Sequence, residues 1–312
     1  MLKSKRPTVP QARRMKRTRG DVAFHIANYT GAALLAFICG YPFYYLIINS
    51  ISANNVAALG DVRWLPEGIH FSNYASVFQL SGLSQAAAVS VARTVIGTAC
   101  TVLASAYLGF MFTQERLWKR ALWYRLVVIT MYFNAGIIPV FIVMYTLGLT
   151  NNFLVYILPA IVQPFNIILV KTYVESMPHE LQEAAEVDGA STVQVFARIM
   201  LPNMTPILAT VAIFSAVAQW NSFQDTLMYI TDKSLYTLQY LLYTYINQAD
   251  SLAQMAQQSG GNLGSVAAAA TAQTATSIRT TVAVVVVLPI LFVYPMFQRY
   301  FVKGIMLGAV KG

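Results

Sequence analysis

The chain has 312 residues, 57% of them hydrophobic and 11% charged, with a mean hydropathy of +0.55. Soluble domains carry about 25% charged residues, so this composition excludes an ordinary soluble protein and points to one membrane-embedded domain. A formal charge of +9 would suit a nucleic-acid binder, but Lys3, Lys5, Arg6, Arg13, Arg14, Lys16, Arg17 and Arg19 supply most of the excess, ahead of the first apolar run. There they read as a cytoplasmic orientation signal, with no nucleic acid involved.

A helix needs about 20 apolar residues to cross a bilayer. Six runs approach or exceed that length, at residues 22–50, 86–112, 122–147, 153–173, 206–230 and 278–301. They lack two-residue alternation, and lipid offers no partner to an open strand edge, so helices are expected. The expected fold is an all-α integral membrane domain with six transmembrane helices over 22–301. A basic leader, 1–21, precedes it and a short tail, 302–312, follows. The first run is too long for a signal-peptide core and has no small-x-small cleavage site, so it is expected to be retained. Cys39 and Cys100 fall inside apolar runs and read as small buried hydrophobes, not as a disulfide or metal ligands.

Basic residues set the orientation. The leader, Arg116, Lys119, Arg120, Arg198, Lys303 and Lys311 fall on one side, while the three opposite loops hold Arg63 and Lys233, with Arg279 at a span edge. That bias places both termini in the cytoplasm. The first outer loop is turn-rich, with Gly60, Pro66 and Gly68. The last, 231–277, opens with Leu235, Leu238, Leu242 and Tyr245 on one helical face, suited to the membrane surface or a partner. It continues as a Gln/Ala/Ser-rich stretch that reads as linker running into a helix.

Between the fourth and fifth runs lies a polar island, "ELQEAAEVDGASTVQVFARIMLP". Four of the chain's 12 acidic residues, Glu180, Glu183, Glu186 and Asp188, are gathered there. Pro178 suits a first helical turn, and Glu180 and Glu183 sit well at the positive helix end. Leu181, Ala184 and Ala185 share a small apolar face. Gly189 is placed to end the helix in a left-handed conformation, and Ser191-x-x-Gln194 has the form of a capping box that starts another. Val193, Phe196, Ala197 and Met200 are expected to form the second helix's apolar stripe. The whole loop, 178–202, therefore reads as two short helices joined by a glycine bend.

Motifs for independent catalysis are missing from the sequence. No G-x-x-x-x-G-K-[ST] phosphate loop occurs, "HELQE" has Glu183 where a zinc-protease helix needs a second histidine, and His25, His70 and His179 are scattered. An enzyme activity of its own is not expected, and any energy must come from another subunit.

The spacing within the island is more specific than its composition. Glu183-Ala184-Ala185, three residues, Gly189, nine residues, Ile199, then Leu201-Pro202 resembles the EAA loop of ABC importer membrane subunits. "NAGIIPVFIVMYTLGLTNNF", "QWNSF" and "YPMFQRYFVKGIMLGAVKG" extend the resemblance over nearly the whole chain. They look like the maltose-permease-like carbohydrate uptake group, and within it the complex-oligosaccharide subgroup. The resemblance implies a type I ABC importer transmembrane domain in a bacterial inner membrane. Glu180, Glu183, Ala184, Ala185, Asp188, Gly189, Ile199, Leu201 and Pro202 would then couple to a cytoplasmic ATPase, with Glu183 facing a basic group. Lys303, Gly304 and Lys311 resemble family tails that reach the ATPase interface. Implied partners are a second homologous permease, two ATPase subunits that hold ATP and magnesium, and an extracytoplasmic sugar-binding protein; this chain itself would bind no cofactor.

A sugar path needs hydrogen-bonding and aromatic groups inside the bundle. Tyr132, Asn134, Gln163, Asn166, Gln219, Trp220 and Asn221 are the candidates, and helix–helix hydrogen bonding is the plainer explanation for any one of them. Arg93 is a charge within the second run; it either snorkels outward or attracts an acidic sugar such as a uronate. The docking motif is indifferent to cargo, so an importer of amino acids or other small solutes stays open. An ion-coupled transporter would instead use Asp225 as an ion or proton site.

Overall fold

The computed structural model describes residues 19–79, 82–258 and 275–304. Every regular element among the described residues is a helix, and none is a strand. Most of the leader, the Gly/Ala-rich part of the last outer loop and Lys311 lie outside them. Contacts group the residues up to Leu46 as one unit and those from Ile47 as another.

The first unit is most of α1 (Arg19–Ile51), a 33-residue apolar helix containing Pro42. Within the second unit, Ile48, Asn49 and Ser50 of the α1 end are buried. Two short helices follow, α2 (Asn54–Leu59) and α3 (Ser72–Phe78). Polar side chains tie this region together: the Ser50 and Tyr74 hydroxyls lie 2.6 Å apart, and Asn73 Nδ2 donates to Asn54 Oδ1 at 2.8 Å.

The centre of the second unit is α4 (Leu83–Met111), 29 residues without a proline. It contributes to three buried clusters. Ala106 and Phe110 pack with Val170, Met204 and Val211. Leu83 and Ala86 pack with Val77, Leu238, Val282 and Val286. Val89 packs with Leu149, Val155, Tyr156, Ile157 and Ile230.

Three of the expected continuous spans are broken. The run 122–147 forms α5 (Arg120–Tyr132) and α6 (Ile137–Thr146), bent by 119°. Gly136 has φ +83° there, and its N–H donates to Asn134 Oδ1 at 2.9 Å. A side chain that bonds its own backbone two residues on builds a turn instead of continuing the helix. The run 153–173 forms 3₁₀ turns up to Ala160, then α7 (Pro164–Glu175) at 45°. The break frees the Ala160 carbonyl, which accepts from Thr101 Oγ1 at 3.0 Å. The helix of the fifth run stops at Asn221, and α12 (Gln224–Tyr229) restarts after an extended Ser222.

The island folds as α8 (Glu180–Val187) and α9 (Thr192–Val195), followed by a π turn, Phe196–Met200, and α10 (Leu201–Asn203). Then comes α11 (Thr205–Asn221), set 79° from the helix before it. In the last outer loop Asp232 caps the turn Lys233–Leu235. The backbone N–H of Ser234, then its hydroxyl, hold the Asp232 carboxyl below the usual range. The helix α13 (Leu238–Gln258) buries Leu238 beside Leu242 and Tyr245, against the chain's own α4 and the last described helix, α14 (Ala275–Gly304). The face expected on the membrane surface or a partner is thus part of the core.

By length and composition, α1 and α4 can each cross a membrane, and the three bent pairs pass the same test if each counts as one span.

Candidate functional site

At one end of α4, the island stands on the body of the chain. Gly189 has φ +83°, its N–H bonds the Glu186 carbonyl at 3.1 Å, and the Ala190 N–H reaches back to Ala185 at 2.9 Å. This is the glycine-terminated helix end the sequence implies. The capping box forms in both directions, with Ser191 N donating to Gln194 Oε1 at 2.8 Å and Gln194 N to Ser191 Oγ at 3.4 Å.

The packing of the second short helix differs from the expected stripe. Val195 and Met200 are buried and Phe196 and Ile199 are half-buried against the core, whereas Val193 and Ala197 are exposed. The π turn rotates the chain by the fraction of a turn that moves Val195 inward and Val193 out.

Ala185 of α8 is buried against Val174, Val195 and Met200. Glu180, Glu183, Ala184 and Asp188 remain exposed, together with Leu181 and Val187, the last 87% exposed. Leu201 is half-buried in the same core and Pro202 is exposed. Two contacts brace α8 from the loop after α4. Gln182 and Gln114 exchange side-chain amide hydrogen bonds at 2.9 and 3.3 Å, and Arg116 meets Glu186 at 3.1 Å. Lys303 and Gly304 end the described part of α14.

Further along α4, Arg93 is buried, only 2% exposed. It does not snorkel. Nε donates to Gln219 Oε1 at 3.1 Å, Nη1 to the Ser222 carbonyl at 3.2 Å and to Asp225 Oδ1 at 3.1 Å. Nη2 donates to Gln219 Oε1 at 3.0 Å and to Asp225 Oδ2 at 2.5 Å. The guanidinium lies 4.4 Å from the centre of the Tyr156 ring. Five N–H donors make five hydrogen bonds, the full capacity of an arginine. The carboxylate that answers Arg93 belongs to the chain itself, which corrects the expectation of outward snorkelling or of a uronate partner. Asp225 also accepts from the Ser222 hydroxyl and the Thr226 N–H, both at 3.0 Å.

Beside this network lies a cavity of about 420 Å³, with Gln163, Asn166 and Gln219 in its lining. These three are the path candidates that the fold brings together. Gln219 is already engaged, its Nε2 donating to the Tyr156 carbonyl at 3.1 Å, so it positions Arg93. Trp220 turns away and donates to the Val286 carbonyl at 3.1 Å, and Asn221 accepts from Gln239 at 3.2 Å. Tyr132 is exposed at the end of α5. Asn134 lines a separate space of about 300 Å³ next to α12. Sequence reading passed over Ser215, Phe165 and Phe214, which line the first cavity; the one available signal was their position beside or within a path already proposed.

The helical chain thus joins an exposed helix–glycine–helix loop to a cavity beside broken helices. Residues 102–307 match the family described as binding-protein-dependent transport system inner membrane component, and the chain belongs to that family. It is 32% identical over 298 residues to protein LplC of Bacillus subtilis (strain 168), covering 96% of this chain and 98% of that protein. It is 30% identical over 290 residues to the polygalacturonan/rhamnogalacturonan transport system permease protein YtcP of the same organism, covering 93% and 98%. Its fold matches a chain in the crystal structure of a bacterial ABC transporter involved in the import of the acidic polysaccharide alginate. That match has a TM-score of 0.80 and 27% identity over 92% of this chain and 99% of the other. The family is one of inner membrane components of transport systems, and ATP hydrolysis is not the chemistry of this chain.

Proposed function

We propose that the chain is the permease subunit of an ATP-driven oligosaccharide importer, forming half of the translocation path. Relatives named for polygalacturonan, arabinooligosaccharide and alginate transport support the cargo class. The observation that carries the coupling role is α8 itself. It is anchored through Ala185, yet it presents Leu181, Glu183, Ala184 and Val187 to solvent. An exposed apolar and acidic face on a rigidly bent lever is suited to a cleft with basic walls in a partner. On this reading Glu180, Asp188, Ile199, Leu201 and Pro202 shape and seat the lever, and Lys303, Gly304 and Lys311 lie near the ATPases.

The assembly consists of this chain, a second homologous permease, two ATPase subunits that carry ATP and magnesium, and an extracytoplasmic sugar-binding protein. It sits in a bacterial cytoplasmic membrane, with six spans and both termini inside. Closure of the ATPases moves α8 and switches the access of the cavity. Asp225 is committed to Arg93, so the ion-coupled alternative loses its candidate ion site.

Gly189→Pro cannot keep φ +83°, and Glu183→Lys reverses the exposed charge. Both variants are expected to insert into the membrane normally and to lose ATPase co-purification or sugar uptake. Full uptake in both variants would remove the coupling role.

A further inference from the structure

The cavity beside Arg93 has a specific chemistry. Asn166 is 6% exposed and Ser215 7% exposed, and both line it. Among the described residues neither side chain makes a hydrogen bond, and neither is among the polar groups sealed off without a partner, so both polar groups are open to the cavity. Each has a phenylalanine as its chain neighbour. Phe165 precedes Asn166 on α7, Phe214 precedes Ser215 on α11, and the two rings lie 6.4 Å apart, tilted by 40°, in the same lining. Two helices thus each present an aromatic ring and an unused neutral polar group to one space of about 420 Å³, within the range of about 300–1,000 Å³ for small-molecule sites. Among the described residues the full charges in the lining are Arg93 and Asp225, which are spent on each other, and every N–H of Arg93 is occupied.

We infer that this cavity is a sugar-ring subsite that takes hydroxyl groups on Asn166 and Ser215 and a ring face on Phe165 and Phe214, and that this chain does not read sugar carboxylates there. A pyranose fits this description because it carries neutral donors and acceptors around its rim and an apolar C–H face. A carboxylate does not, because it would enter a space with no free cationic donor beside the carboxylate of Asp225. The inference rests on the oligosaccharide-permease reading and specifies which part of the cargo this half of the path holds.

The test uses the assembled importer in lipid vesicles with its binding protein, and measures uptake of trigalacturonate, galactotriose, arabinotriose and maltotriose. For each sugar that the wild type carries, Asn166→Ala and Ser215→Ala are expected to raise KM about three- to tenfold, the usual worth of a neutral hydrogen bond. Phe214→Leu is expected to raise it by a similar factor. The maximal rate should fall less than KM rises, a split that a general packing defect does not produce, and co-purification of all subunits checks assembly. Trigalacturonate and its carboxyl-free counterpart galactotriose should lose equally wherever both are carried. Unchanged KM in both polar variants, or a loss confined to trigalacturonate, overturns the subsite. Failure of the wild type to carry any oligosaccharide overturns the permease reading beneath it.

Discussion

Arg93 shows what a single buried charge requires of its surroundings. Taking a guanidinium out of water costs several kcal/mol, and the cost is met only where geometry and additional hydrogen bonds are complete. Here Asp225, Gln219, the Ser222 carbonyl and the Tyr156 ring together meet it. Arg93→Ala would leave Asp225 without its counter-charge, and a loss of about 3–5 kcal/mol is expected, read as a lower unfolding temperature of the purified complex. The double variant Arg93→Ala/Asp225→Ala should lose clearly less than the two single losses added together. Strict additivity would show that the pair does not interact. Sequence alone marked Arg93 as anomalous and Asp225 as a candidate ion site. It did not join them, because 132 residues separate the two and their meeting depends on a helix that stops at Asn221.

Among the elements, the island was the most legible, since its signals are local. The acidic first turn, Gly189 and the Ser191/Gln194 pair each act within a few residues of themselves, and each appears as expected. The broken spans were not legible, because hydropathy counts apolar residues and ignores where the backbone turns. Asn134, a path candidate from the sequence, is also the acceptor that shapes the bend before α6. The expected stripe through Val193 assumed an ideal helix and was displaced by the π turn. Close packing between elements gives a sharper test. A Cβ at Gly97 of α4 would lie 2.6 Å from Gln219 Nε2, a side chain already held at both ends by Tyr156 and Arg93. Gly97→Ala is expected to lower the unfolding temperature and to reduce uptake by displacing Gln219 from Arg93. Wild-type behaviour in both measurements would mean that α11 yields at little cost.

For the whole molecule, composition fixed the class and charge bias suggested the orientation, while the family match secures a permease. Orientation is open to direct measurement. In a background with Cys39 and Cys100 replaced by serine, Lys311→Cys should react with an impermeant maleimide only from the cytoplasmic side, and Lys233→Cys only from outside. Labelling of both from one side would refute the proposed topology. The proline-free α4 has a consequence that spans these scales. Phe110 and Ala106 rest in the same core as Ala185 of α8, and Arg93 anchors the break after α11. Seventeen residues, about 25 Å at 1.5 Å per residue, separate Phe110 from Arg93 along one unbroken rod. A strut of that kind delivers displacement with little delay or loss. Work done on α8 would therefore reach the deepest charged residue of the cavity as a rigid stroke, and its length would be set by how far one helix can slide.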